Sequence, residues 1–256
     1  MVQIYKHEAI IFDLDDLLYK EFDFVRSGYW TISKLVSNRP KELFNLMMAQ
    51  YFLGNQVLDW LIDDYFKTEQ EYSKEELLDI YRNHNPDITI SADVLDLLIQ
   101  LKKNGNPMGL VTDGRSKTQR NKIKALGLDN WIDEFSISDE TGFQKPLFEP
   151  FLHLMEKLDA SKYVYIADNY DKDFIAPNQL GWRTIALVDN GLNVHTRKEQ
   201  LDPVNLPSEV ILSFRELAVT NTCISSLVSA ETRCIPRDSV TNIRPISVAA
   251  TPPIMK

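Results

Sequence analysis

The sequence predicts an α/β protein, a Rossmann-like parallel sheet with helices on both faces, joined to an all-helical domain. Three observations carry this reading. Ala9 to Phe12 is a continuous apolar run of the kind shown by a strand buried on both faces. From Ser91 to Val188 short apolar runs alternate with stretches of helical periodicity. Between these two regions, for about seventy residues, the apolar positions recur at three- and four-residue steps. Repeated β-α units imply right-handed crossovers, and parallel sheets of this kind carry their sites at the carboxyl ends of the strands.

Taken in order, the chain justifies each element. After the first strand, Phe22, Val25, Tyr29, Ile32 and Val36 mark one helix, and further helical patches run over residues 43–51, 57–66 and 75–81. Breaks fall near Pro40, Gly54 and Ser73, and Pro86 lies in the exit at 83–89. The aromatics of this stretch, Trp30, Phe44, Trp60 and Tyr65, are expected in its own core. Ser91 then reads as the N-cap of a helix through Val94, Leu97, Leu98 and Leu101, closed by Gly105. A strand is predicted at 108–112, a helix at 117–126 closed by Gly127, and a short strand at 134–138. Pro150 sits in the first turn of a helix over 148–158, and a strand follows at 163–167. A short helix ending at Leu180 contains Pro177, which is expected to bend it, and the last strand covers 184–188. The division is therefore an α/β core at 1–18 and 90–218 and a helical domain at 19–89. A tail at 219–256, rich in Ser and Thr and without aromatics, reads as disordered or loosely attached.

Composition narrows the function classes. The 256 residues are 44% hydrophobic and 25% charged, an ordinary globular balance. A formal charge of −9 argues against nucleic acid as a partner, because phosphate backbones need clustered Lys and Arg. No apolar run reaches the length of a membrane span and residues 1–7 lack the apolar centre of a signal peptide, so no membrane partner and a cytoplasmic location are expected. Cys223 and Cys234 both fall in the tail, without zinc-type spacing or nearby His, so neither a structural disulfide nor a metal site is expected of them.

The chemistry is read at the strand ends. The first strand runs into Asp13, Asp15 and Asp16, and three acids in four residues need a cation, hydrogen-bond donors or bulk water to offset their repulsion. Asp13 and Asp15, two apart in an extended chain, point the same way, while Asp16 points elsewhere. The next strand ends in Thr112, Asp113 and Gly114; a later one ends before Asp168, with Asp171 and Asp173 just beyond. Lys145 lies in the loop Gly-Phe-Gln-Lys-Pro before a helix. A hydroxyl, a lysine and two carboxylate groups on one rim suit phosphoryl transfer. Asp13 would be the nucleophile, Asp15 the acid and base, and Thr112 and Lys145 would bind the phosphoryl oxygens. Mg²⁺ is the expected cofactor, on Asp13, Asp168 and Asp15, the last through its backbone carbonyl.

These four motifs resemble the haloacid dehalogenase-like (HAD) superfamily. Asp13-Leu-Asp-Asp-Leu17 is similar to its Asp-x-Asp-x-Thr/Val motif, with Leu17 in place of Thr or Val. Thr112 matches the second motif, Lys145 before Pro146 the third, and Ala167-Asp168 through Asp173 the fourth, with Ala167 in place of Gly. The resemblance covers about residues 4–217. It implies a cap domain formed by the helical insert, with Asp113 and Gly114 beside the phosphate, Asp173 orienting the metal shell, and Arg115 as a substrate contact.

The expected function is Mg²⁺-dependent hydrolysis of a small phosphomonoester through an aspartyl-phosphate, with a small phosphorylated metabolite as partner. A phosphomutase of the same family is the alternative. A second is a receiver-like or phosphate-binding module, which would release at most one phosphate per chain. The helical insert argues against a receiver.

Overall fold

Glu8–Phe12 is buried along its whole length at the centre of a parallel sheet. The structure, a computed structural model, describes residues 1–66, 72–194 and 202–220. In chain order its elements are β1 (Val2–Tyr5), β2 (Glu8–Phe12), α1 (Glu21–Val36), α2 (Pro40–Phe52) and α3 (Val57–Trp60), which continues into a π-helical segment, Leu61–Phe66. Next come α4 (Lys74–Asn83), α5 (Ala92–Asn104), β3 (Met108–Thr112), α6 (Ser116–Ala125), β4 (Glu134–Ile137) and α7 (Ser138–Thr141). The remainder is α8 (Glu149–Lys157), β5 (Lys162–Ala167), α9 (Ile175–Gln179), β6 (Arg183–Leu187), β7 (Glu209–Ile211) and β8 (Leu217–Thr220).

Six strands pair in the order β4-β3-β2-β5-β6-β7, all parallel. Successive side chains of a strand face opposite sides. Ile10 and Phe12 accordingly join Leu97, Leu98 and Leu101 of α5 and Ile123 of α6 on one face. Ala9 and Ile11 join Phe151 and Leu154 of α8 on the other, so helices cover both. Gly109 of β3 permits that second contact: a Cβ there would lie 2.8 Å from Ile11 Cδ1 and 3.0 Å from Leu158 Cδ1. The ends of α5 form as the sequence predicts. Ser91 Oγ accepts the Val94 N–H at 3.3 Å, and Gly105 closes the helix at φ 81°, where a side chain would be strained.

Helices α1 to α4 pack around Ile32, Leu43, Met47, Val57, Leu61 and Leu77. That core is aliphatic. Trp30 against Phe44 and Trp60 against Tyr65 surround it rather than fill it, and Trp30 and Tyr65 are exposed. The indole N–H and phenol O–H are more easily satisfied at such positions than in the interior.

Two other expectations are corrected, and one strand was not foreseen. Pro177 falls in the first turn of a five-residue helix, where its missing N–H removes no bond. Val2–Tyr5 is a strand, paired in parallel with Leu217–Thr220. Val219 and Thr220 therefore belong to a strand and not to the tail; the rest of the tail, with Cys223 and Cys234, lies outside the described residues. Among the described residues no helix is long and apolar enough to cross a membrane.

Candidate active site

β2, β3 and β5 are neighbours in the sheet, so their carboxyl ends bring Asp13, Thr112 and Asp168 to one rim. Asp13 is tied to the next strand, its N–H donating to the Ile166 carbonyl at 3.0 Å. Lys145 reaches the rim from the loop between α7 and α8. That loop is anchored where the Lys145 N–H donates to Asp113 Oδ1 at 3.0 Å. The buried Lys145 ammonium lies 2.6 Å from Asp13 Oδ1 and 2.8 Å from Asp173 Oδ1.

Asp13, Asp168 and Asp173 each offer a carboxylate oxygen within 4.8 Å of the others. One ammonium does not neutralise three carboxylates. Burial, against the pull of Lys145, pushes Asp13 up to about 7, and burial followed by repulsion from Asp13 pushes Asp168 up to about 8. A dication at this point would remove that repulsion, and an all-oxygen donor set suits a hard ion such as Mg²⁺. The residues therefore fit a divalent metal. Asp173, expected behind the metal ligands, is the third acid of the cluster. Its Oδ1 faces Lys145 and its Oδ2 accepts the Asn169 N–H at 3.0 Å, so it also fixes the loop after β5.

Asp15 was expected to reach the metal through its backbone carbonyl; its carboxylate lies apart from the three-acid cluster. It is turned toward α6 and held on both oxygens. Oδ1 accepts from the Tyr19 hydroxyl and lies 2.7 Å from Lys122 Nζ; Oδ2 accepts from Gln119 Nε2 at 3.4 Å. Burial pushes Asp15 up, but the charge and hydrogen bond of Lys122 outweigh it and hold the carboxyl below its ordinary value. Lys122 is itself buried, 4.5 Å from the Phe24 ring centroid and 3.8 Å from Glu21 Oε1. Burial and the nearby Asp15 push Glu21 up to about 8. The strand ends at Phe12, so its alternation does not extend over these acids: Asp13 and Asp15, expected to point the same way, face different partners, while Asp16 points elsewhere as expected. At φ 59° its carboxylate accepts the Glu21 N–H at 3.0 Å and the Val194 N–H at 2.8 Å, joining the start of α1 to the core.

Thr112 is buried at the rim. Asp113 and Gly114, expected beside the phosphate, line the cleft next to Thr112, with the Asp113 carboxylate and the Gly114 N–H bonded to protein groups. Asp113 Oδ2 lies 2.7 Å from Lys172 Nζ while Oδ1 takes the Lys145 N–H. Burial raises the Asp113 carboxyl, but Lys145 and Lys172 together keep it below its ordinary value. The Gly114 N–H donates to Ser138 Oγ at 2.9 Å. Arg115 lines the cleft; Arg120 turns away to Glu140. A cleft of about 390 Å³ lies over the rim, walled by Asp13, Asp15 and Lys145 below and by Glu21, Tyr81 and Arg82 of the helical insert above.

Sequence reasoning missed Lys122, Glu21, Tyr19 and Asn193, whose Nδ2 donates to Asp168 Oδ2 at 2.7 Å. For Lys122 a signal existed: it follows Gln119 by three residues, which puts both on one face of α6.

Fold and site define an α/β enzyme whose acidic, lysine-bridged centre sits at the end of a parallel sheet. The haloacid dehalogenase-like hydrolase profile matches residues 10–187. The chain belongs to this family of hydrolases. Over 200 residues it is 26% identical to glyceraldehyde 3-phosphate phosphatase of Methanocaldococcus jannaschii, covering 71% of this chain and 85% of that one. Over 190 residues it is 26% identical to pyrophosphatase PpaX of Bacillus mycoides, covering 71% and 84%. Its fold is that of the HAD-hydrolase YfnB from Bacillus subtilis, solved bound to magnesium. The TM-score is 0.53 at 17% identity, over 82% of this chain and 96% of YfnB.

Proposed function

We propose that the chain is a Mg²⁺-dependent phosphatase of small phosphomonoesters that works through a phosphorylated Asp13. The observation that carries the reading is the buried Asp13 carboxylate, paired with Lys145 at 2.6 Å inside a three-acid cluster. Both curated relatives described above are phosphatases.

Asp13 attacks phosphorus as the bond to the leaving oxygen breaks, and Asp15, in the fraction of molecules where it carries a proton against the pull of Lys122, gives that proton to the leaving oxygen. Asp15 then takes a proton from water, whose oxygen attacks the phosphorus of the aspartyl-phosphate and releases phosphate, restoring both acids. Lys145 and Thr112 bind the phosphoryl oxygens in this reading, which is supported by their position at the rim beside Asp13, and there added positive charge and a hydrogen bond lower the barrier. Asp13 and Asp168, with Asp173 beside them, would hold Mg²⁺, which when bound would supply the charge that lets two anions meet. The separation of duties between Asp13 and Asp15 follows from their surroundings: one faces the acid cluster, the other faces Tyr19, Gln119 and Lys122. The helical insert, residues 19–89, is the cap, since Glu21, Tyr81 and Arg82 wall the cleft from above.

The test is phosphate release from a panel of small phosphomonoesters, in Mg²⁺ and in chelator, with substrate for many turnovers. Repeated metal-dependent turnover supports the reading. Release of at most one phosphate per chain overturns it in favour of a binding or receiver-like module.

A further inference from the structure

Three of the five basic residues lining the cleft are matched by carboxylates. Lys145 pairs with Asp13 and Asp173, Lys172 with Asp113, and Lys122 with Asp15 and Glu21. Arg82 and Arg115 line the same cleft and pair with no carboxylate among the described residues. In a chain of net charge −9, two unmatched guanidinium groups on one cleft run against the overall charge.

Their positions are built by the fold. Arg82 lies in the last turn of α4, on the helical insert, and is half-buried. Arg115 precedes α6 on the core, three residues beyond Thr112. The two segments are latched together. Thr118 Oγ1 donates to the Arg82 carbonyl at 3.0 Å, and Asn121 Nδ2 donates to the carbonyls of Asn83 and His84 at 3.1 and 3.2 Å. Both arginines thus belong to one rim, on the side of β3 where the phosphoryl oxygens are placed. A planar guanidinium matches a carboxylate or phosphate with two parallel hydrogen bonds.

Resting on the phosphatase reading, we propose that Arg82 and Arg115 form a second anion subsite, so that the preferred substrate is a small phosphomonoester whose leaving group carries its own carboxylate or phosphate. The cleft, about 390 Å³, accommodates a compact molecule of that kind. The insert contributes one arginine and the core the other, so an anion between them also holds the cleft closed over the reacting phosphoryl group.

The experiment compares three esters of similar size: ethyl phosphate, carboxymethyl phosphate and ethylene bisphosphate. Steady-state rates are measured for the wild type, Arg82→Met, Arg115→Met and the double variant. The expected result is a kcat/KM at least about tenfold higher for one of the two esters with a second anionic group than for ethyl phosphate, with most of that ratio lost in the double variant through KM. Preference for carboxymethyl phosphate identifies a carboxylate as the natural second anion, and preference for the bisphosphate identifies a phosphate. An equal rate for the esters with and without a second anionic group, or a ratio unchanged by the double substitution, overturns the subsite.

Binding separates this from the catalytic reading. In an Asp13→Asn background, calorimetry should show tighter binding of the preferred ester with a second anionic group than of ethyl phosphate, and the difference should vanish with Arg82→Met and Arg115→Met. Arginine-dependent binding without turnover by the wild type would contradict the phosphatase reading and leave the subsite standing. Equal binding of both esters would remove the subsite whatever the turnover.

Discussion

Lys122 Nζ lies 2.7 Å from Asp15 Oδ1, the same oxygen that accepts the Tyr19 hydroxyl. A buried lysine on the first long helix after β3 thereby fixes an acid that stands on the loop after β2. If Asp15 serves the leaving oxygen, Lys122 sets the direction in which it can do so.

Replacing Lys122 with Met should therefore lower turnover of alkyl phosphates by about 10²-fold, the usual scale of general acid catalysis. The loss should be smaller for p-nitrophenyl phosphate, whose leaving group needs no proton. Steady-state assays with the two esters check this; equal losses would show that Lys122 only supports the fold.

At pH 9, above the raised values of both Asp13 and Asp168, Asp168→Asn removes one anion from a cluster of three carboxylates and one ammonium. In chelator the variant should be more stable than the wild type, by roughly 1 kcal/mol, because repulsion falls. Added Mg²⁺ should raise the unfolding temperature of the wild type and leave the variant nearly unchanged. Thermal unfolding with and without metal reads both effects.

Gly109→Ala should destabilise the core by about 1–3 kcal/mol, since its Cβ would meet Ile11, Leu154 and Leu158 side chains at 2.8 to 3.1 Å. Denaturant unfolding measures it, and an unchanged midpoint would mean that α8 shifts freely on the sheet.

His84 gives a pH dependence of known sign. It sits at the end of the insert, with Nδ1 2.6 Å from the Tyr81 carbonyl and Nε2 3.0 Å from Ser27 Oγ. Burial, reinforced by Lys122, lowers its pKa below 6.5. The unfolded chain then binds the proton more readily, so stability is full above pH 6.5 and falls as the pH drops below it. Unfolding free energies of the wild type and His84→Gln between neutral and acid pH should differ by this slope, and parallel curves would exclude it.

Much of this was legible in the sequence because it is local. Asp13, Thr112 and Asp168 each follow an apolar run, and a parallel sheet brings strand ends together without further information. The β1–β8 pair was not legible: Val2 and Leu217 meet across nearly the whole chain, and both strands are short. Nor was the environment of Asp15. Which face of a polar helix turns inward depends on docking, and only then does Lys122 become a buried partner. Asp113 and Gly114 lie next to Thr112 in sequence, but Lys145, Lys172 and Ser138 claim their polar groups in space.

The most direct measurement is acid-quenched trapping of the enzyme during turnover, followed by mass mapping of the phosphorylated peptide. A phosphoryl group on Asp13, absent in chelator and absent in Asp13→Asn, is the predicted result. Sustained turnover by Asp13→Asn, or a phosphoryl group on another residue, would contradict it.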